Sequence, residues 1–324
     1  MFDIEQQETY KIKGCLHKSG LFGRGVDKIV ARTISDKIEK IKYKVEVDGR
    51  LYVLDIAKFD SGRENLSHGT VIQKYLSNHD MAALPFYVDL KGDFILSEYL
   101  DNFDSIDNID IKDQDVDGIL TQFTEMENIL KSQVSEKNTT LRKDLLDDDF
   151  KNNLQKFVED RLISEEDKET VINYINTMDE FNVPLVMKHS DIQPGNILFN
   201  KETGKVKLID FEFAGYGGEM YDWACFYNTM PDVYKEKIDK SILNNAQFIF
   251  FDFDFNIRRL YFDKRRLGSI LSKMEVEKQN GNYSNVEDYK KELDELKSRI
   301  EKATIGYKMA LEKIKATPAV VKTV

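Results

Sequence analysis

Residues 41–57, IKYKVEVDGRLYVLDIA, constrain the fold more than any other stretch of the chain. Ile41, Tyr43, Val45 and Val47 alternate with Lys42, Lys44 and Glu46, the period of a strand with one buried face. Asp48-Gly49 then forms a two-residue turn of the type that tolerates positive φ at both positions. From Leu51 to about Ala57 the β-branched and aromatic residues resume. An antiparallel hairpin is expected here.

The rest of the chain arranges itself around that hairpin. A helix is expected around Thr70–Leu76, and FYVDLKGDFILSEYL reads as two further strands about a Lys91-Gly92-Asp93 turn. The acidic run DNFDSIDNIDIKDQDVDG reads as solvated, and ILTQFTEMENIL resumes helical spacing, as do residues 142–182. VMKHSDIQPGNILFN and KVKLIDFEF form a second β-containing unit, with Lys201-Glu202-Thr203-Gly204 as its turn. Beyond Asp222 nearly everything is helical. Ser284 and Glu287 make a capping box ahead of a heptad stripe from Tyr289 to Ile314. That stripe suits packing on its own domain, with a homodimer through helix 284–316 as the alternative. The expectation is an α+β chain with a β-rich part at 1–97, a connector at 98–101, a mostly helical part at 102–317 and a frayed tail at 318–324.

A chain of 324 residues with 41% hydrophobic and 32% charged residues has enough apolar sequence for two such parts. No apolar run approaches the length of a membrane span. The N-terminus MFDIEQQETY lacks the layout of a signal peptide. Cys15 and Cys225 form no C-x-x-C pair, which favours a reducing cytoplasmic setting. A net charge of −11 argues against a nucleic-acid partner and is compatible with a small cationic one.

The chemistry concentrates in KHSDIQPGNILFNKETGKVKLIDFE, residues 188–212. Asp191 can take a proton from a hydroxyl and orient its oxygen. Asn196 and Asp210 offer the oxygen ligands that Mg²⁺ requires, and the turn between two strands brings them together. His189 is better suited to supporting the loop than to titrating.

The set His189-x-Asp191-x-x-x-x-Asn196 with Asp210-Phe211-Glu212 resembles the catalytic and metal-binding loops of the kinase superfamily. Protein kinases carry H-R-D-L-x-x-x-N, D-F-G and A-P-E. Here Ser190 replaces the Arg, Gln193 stands where Ser/Thr kinases carry Lys, Glu212 replaces the Gly, and Asp222 follows too soon for a peptide platform. The stretch through LIDFEFAGYGGEMYDWA is similar to the aminoglycoside phosphotransferase and choline/ethanolamine kinase-like family, and D-F-E-x-A-G-Y is nearest the choline kinase side. The match covers about residues 187–226. It implies a two-lobed protein kinase-like fold and an ATP- and Mg²⁺-dependent small-molecule kinase, with GTP as a possible replacement for ATP. Asp191 would be the base, Asn196 and Asp210 metal ligands, and His189 and Asp222 supports. Ser35, Lys58, Glu98 and Leu100 would contact the nucleotide.

The N-terminal part departs from that pattern. ARTISDKIEK, in the place of a phosphate-binding loop, has no glycine, while GLFGRG upstream has three. The family's usual basic residue on the second hairpin strand is replaced by Asp55. Lys58 is the nearest substitute, and Lys42 or Lys44 could reach across. No acidic helix partner for the lysine is evident, since Glu64 comes early and Gly69 or Thr70 occupies the expected position. For the acceptor, Phe248, Phe251 and Phe255 with Asp252 and Asp254 could receive an ammonium, as could Trp223 and Tyr227, although core packing suits both groups better. The acceptor expected is a choline- or ethanolamine-type amino alcohol, or an aminoglycoside. A nucleotide-binding pseudokinase or scaffold is the alternative that Asp55 motivates.

Overall fold

The structure, a computed structural model, describes residues 4–22, 29–36, 40–133, 148–179, 185–281 and 283–317. Two compact units emerge: Met1–Gln133 with Met187–Tyr216, and Val134–Val186 with Gly217–Val324. The hairpin and the 188–212 motif therefore share one unit.

In the first unit, helix α1 (Ile4–Ser19) precedes strands β1 (Ile29–Asp36), β2 (Lys40–Val47) and β3 (Arg50–Ala57). Helix α2 (Asp60–Ser77) and strands β4 (Pro85–Val88) and β5 (Phe94–Glu98) follow. The five strands form one antiparallel sheet in the order β1-β2-β3-β5-β4. The hairpin register pairs Tyr43 with Leu54 and Lys42 with Asp55 across β2 and β3. Asp48 and Gly49 both take positive φ, as the tight turn requires.

The alternation in β2 has the expected consequence on one face. Tyr43, Val45 and Val47 are buried with Leu54, Ile56, Phe94 and Leu96, and Ile12 and Leu16 of α1 close over them. Burying an aliphatic side chain of this size contributes about 1.5–3 kcal/mol, so this face anchors the sheet. The lysines of β2 are on the other face.

Some expectations change. Ile29–Asp36, which includes most of the segment read as a phosphate-binding loop, is a strand, because Ile29 and Ala31 pack on the same core and the backbone pairs with β2. Residues 23–28, including Gly23 and Gly25 of GLFGRG, and residues 37–39 lie outside the described residues. The helix expected near Thr70 begins at Asp60.

The same unit continues with β6 (Asp104–Ser105), α3 (Asp113–Lys131), most of β7 (Val186–Lys188), β8 (Ile197–Asn200), β9 (Lys205–Leu208) and most of β10 (Gly215–Gly217). Strands β8 and β9 form the anticipated hairpin, with Gly204 at φ +68 in its turn, and β6 pairs along β8.

The second unit is helical, with α4 (Asp148–Glu159), α5 (Glu165–Asp179), α6 (Tyr221–Thr229), α7 (Asp232–Lys235), α8 (Lys240–Leu243), α9 (Ala246–Gln279) and α10 (Tyr283–Ala316). Helices α9 and α10 form an antiparallel pair, since Arg266 binds Glu292, Arg299 binds Asp263, and Gly306 faces Asn256. The heptad stripe of α10 is used within the chain: Leu296 is buried with Ile270 and Met274, and Tyr289, Leu293 and Ile300 pack against them. Phe248, Phe250, Phe251 and Phe253 are buried, so most of the aromatic run is core. No helix among the described residues is long and apolar enough to cross a membrane.

Candidate active site

The β8–β9 hairpin sets out the expected residues. Asn196 ends a 3-10 turn just before β8, and Asp210 follows β9 at the start of a second 3-10 turn, Phe211–Phe213. The Ile209 amide donates to the Asn196 carbonyl at 3.1 Å, so the two ends of the hairpin are tied together.

Asp191 is oriented by its neighbours. Asn196 Nδ2 donates to the Asp191 carbonyl at 2.9 Å and to its Oδ2 at 2.8 Å, and Gln193 Nε2 reaches the same Oδ2 at 3.1 Å. With Nδ2 so engaged, Oδ1 is the Asn196 atom suited to a cation. His189 is fully buried. Its Nδ1 accepts the Asp191 amide proton at 3.3 Å, which places the ring proton on Nε2, and Nε2 donates to the Ile209 carbonyl at 2.9 Å. The imidazole thereby links the Asp191 loop to the residue before Asp210. Ser190 and Asp210 both sit at φ 67, a left-handed conformation that costs roughly 1–2 kcal/mol for an L-residue. Strain of this kind is found where surrounding contacts over-determine the backbone.

A cavity of about 360 Å³ lies in the same unit, within the size range of small-molecule sites. Val53, Ile95, Leu198 and Ile209 supply apolar lining, and the connector residues Glu98 and Leu100 also line it. Asp191 and Asn196 are not among its lining residues, whereas Asp210 and Glu212 are. Ser35 pairs with Lys42 across the β1–β2 ladder, and its neighbour Ile34 lines the cavity instead. Lys58 is placed on Asp36 and does not line the cavity.

The lysines that do line it are Lys40 and Lys42. Lys40 is buried, and its ammonium binds Asp210 Oδ1 and, at 2.8 Å, Glu212 Oε2. Lys42 Nζ is 3.6 Å from Asp210 Oδ1 and 3.7 Å from Asp55 Oδ1. Burial by itself would lower the pKa of Lys40, but Asp55, Asp210 and Glu212 outweigh it and hold the ammonium above the ordinary lysine value. Sequence reasoning named Lys42 and missed Lys40 and Glu212. The signal was the alternation Lys40-Lys42-Lys44, which puts all three on the face opposite the core.

Helix α2 contributes a glycine. A Cβ on Gly69 would lie 1.9 Å from the Phe211 carbonyl oxygen and 2.7 Å from its carbon. The helix therefore touches the backbone of the Asp210 loop where an acidic partner had been sought. The side chain of Glu64 lies outside the described residues. Gly69→Ala should cost about 1–3 kcal/mol of stability, although alanine is the better helix former by about 1 kcal/mol. Urea unfolding measures this, and a variant as stable as the parent would contradict the close contact.

Asp222 is fully buried in the first turn of α6, in the helical unit. A second cavity of about 290 Å³ in that unit is lined by Tyr227, Phe255 and Asp252, with Arg259, Arg299 and Lys313 among its basic residues. Asp252 accepts from Asn228 at 3.0 Å and from Asn256 at 2.8 Å. Asp254 pairs with Arg258 at 2.7 Å.

The donor set suits Mg²⁺. Asp210 Oδ1 already receives cationic groups from two lysines, and Asn196 presents an amide oxygen. Among the described residues no group of three or more His, Cys, Asp or Glu converges to hold a metal alone. Mg²⁺ needs no such cage, because it is commonly held by one or two carboxylates with phosphate oxygens and water.

Comparison with known proteins bears on the fold and the family. The chain aligns along 93% of its length with a thermostable mutant of the aminoglycoside phosphotransferase APH(4)-Ia in a ternary complex with ADP and hygromycin B (TM-score 0.56, 13% identity, 97% of that chain). It aligns along 94% with a choline/ethanolamine kinase family protein from Mesorhizobium loti (TM-score 0.55, 10% identity, 99% of that chain). These likenesses establish a kinase-like phosphotransferase fold. A shorter segment of 39 residues is 49% identical to a probable ethanolamine kinase B of Dictyostelium discoideum, which is 12% of this chain and 9% of that protein. The family model for choline/ethanolamine kinase matches residues 50–249, a span that takes in β3, the Asp191 loop and the Asp210 loop. The chain belongs to the choline/ethanolamine kinase family.

Proposed function

We propose that the protein is an ATP- and Mg²⁺-dependent phosphotransferase that phosphorylates a hydroxyl of a small molecule, with a choline- or ethanolamine-type amino alcohol as the first acceptor and an aminoglycoside as the second. The observation that carries this reading is the hydrogen-bonded set of Asp191, Asn196 and His189, joined through the Ile209 backbone to Asp210 beside a cavity of suitable size.

In this reading Asp191 accepts the acceptor's hydroxyl proton while that oxygen attacks the terminal phosphorus. The bond to the bridging oxygen breaks, leaving ADP. Asn196 Oδ1 and Asp210 would hold Mg²⁺, which neutralises charge on the phosphates when bound. His189 supports the Asp191 loop, and Asp222, buried at the start of α6, is assigned a structural role. Glu98 and Leu100 take the nucleotide at the connector. Acceptor recognition by a carboxylate or aromatic face fits a net charge of −11 and a cationic substrate. We place the protein in the cytoplasm, in keeping with two free cysteines, and assign it no nucleic-acid partner.

Nucleotide consumption with Mg²⁺ across amino alcohols, aminoglycosides and sugars tests the proposal. Stimulation by one acceptor class is the expected result. Nucleotide binding without stimulation by any acceptor would favour the pseudokinase reading that Asp55 on β3 supports.

A further inference from the structure

In kinases the phosphate-binding lysine stands on the third strand and pairs with an acid on the following helix. Among the described residues neither arrangement is present. The third strand carries Asp55, and α2 offers Gly69 against the Phe211 backbone. The charges are nevertheless present, exchanged between strands. Lys42 stands directly across the ladder from Asp55, and Lys40 lies on the same face of β2 with Asp210 and Glu212 as its acids. All five side chains are at most 15% exposed and line one cavity.

We propose that β2 supplies the phosphate-binding ammonium in this protein: Lys42 contacts the nucleotide phosphates, Asp55 positions it, and Glu212 replaces the helix acid as the anchor of Lys40. The proposal rests on the phosphotransfer reading above. Three features of the site argue for it. The side chains of cross-strand partners share a face, so Lys42 occupies the ground that a lysine at 55 would have covered. Asp55 Oδ1 is buried without a hydrogen bond, with Lys42 Nζ close by at 3.7 Å, so the lysine can incline toward a ligand without leaving its counter-charge. Lys40 already occupies Asp210 and has Glu212 to return to when that carboxylate takes up a metal. Lys58 is anchored elsewhere, on Asp36.

The test is equilibrium binding of ATP and of adenosine to the full chain, with a thermal melt of each variant. Lys42→Ala should weaken ATP about 10- to 100-fold, the effect of losing one charge-assisted hydrogen bond, and leave adenosine within about twofold. The exchanged double variant Lys42→Asp with Asp55→Lys should regain most of the ATP affinity, because it restores the same pair with the ammonium on β3. Equal loss of ATP and adenosine in Lys42→Ala, or no recovery in a folded exchanged variant, would overturn the assignment. So would a triphosphate-specific loss in Lys58→Ala with Lys42→Ala unaffected. Normal ATP binding by Lys42→Ala overturns this assignment alone, whereas a wild-type protein that binds no nucleoside triphosphate overturns the phosphotransfer reading as well.

Discussion

Asp191→Asn should lower kcat by about 10²- to 10⁴-fold, the range of general acid–base catalysis, with little change in the melting temperature. The amide can no longer take the acceptor's proton, yet it can still accept from Asn196 and Gln193 through its remaining oxygen. The backbone bonds of the loop, from Asn196 to the Asp191 carbonyl and from the Asp191 amide to His189, do not involve the altered atom. ATP affinity should therefore hold. A variant that keeps most of its turnover would remove Asp191 from the role of base.

The second large effect concerns stability. Lys188 is fully buried immediately before His189, and its ammonium binds Glu127 of α3, itself 5% exposed. The two charges pair in a dry place, and removing one costs the other this buried ion pair. Lys188→Met should cost about 3–5 kcal/mol, a large part of the roughly 5–15 kcal/mol that stabilises a typical domain. Replacing both, as Lys188→Met with Glu127→Leu, should recover most of that loss, because apolar pairs of similar volume commonly match or exceed a buried ion pair. Chemical denaturation of the three proteins measures this. A single variant as stable as the parent would show that the charges are solvated in solution.

These cases show what sequence carries and what it leaves out. The β2–β3 hairpin was legible because period-two alternation and an Asp-Gly turn are local signals. The same alternation identified which lysines share a face but not that the face borders a cavity, so Lys40, the last residue of ARTISDKIEK, was not singled out. The Lys188–Glu127 pair joins residues 61 positions apart, and nothing near either residue announces the other. Helix α2 was read short because RENLSHG lacks a clear apolar period, and Gly69, noted only for standing where an acid was sought, is a point of backbone contact. The order of His189, Asp191, Asn196 and Asp210 was legible, whereas the tautomer of His189 and the turn of the Asn196 amide required coordinates. The left-handed backbone at Ser190 and Asp210 also has no local signature.

The central claim is transfer of a phosphoryl group to a small acceptor, and ³¹P NMR of the reaction tests it most directly. The protein is incubated with Mg-ATP and, in turn, ethanolamine, choline and an aminoglycoside. A new phosphomonoester resonance appearing in step with ADP, in one acceptor class and absent with Asp191→Asn, is the predicted result. ADP and inorganic phosphate without any phosphomonoester, or no reaction at all in a protein that binds Mg-ATP, would contradict it.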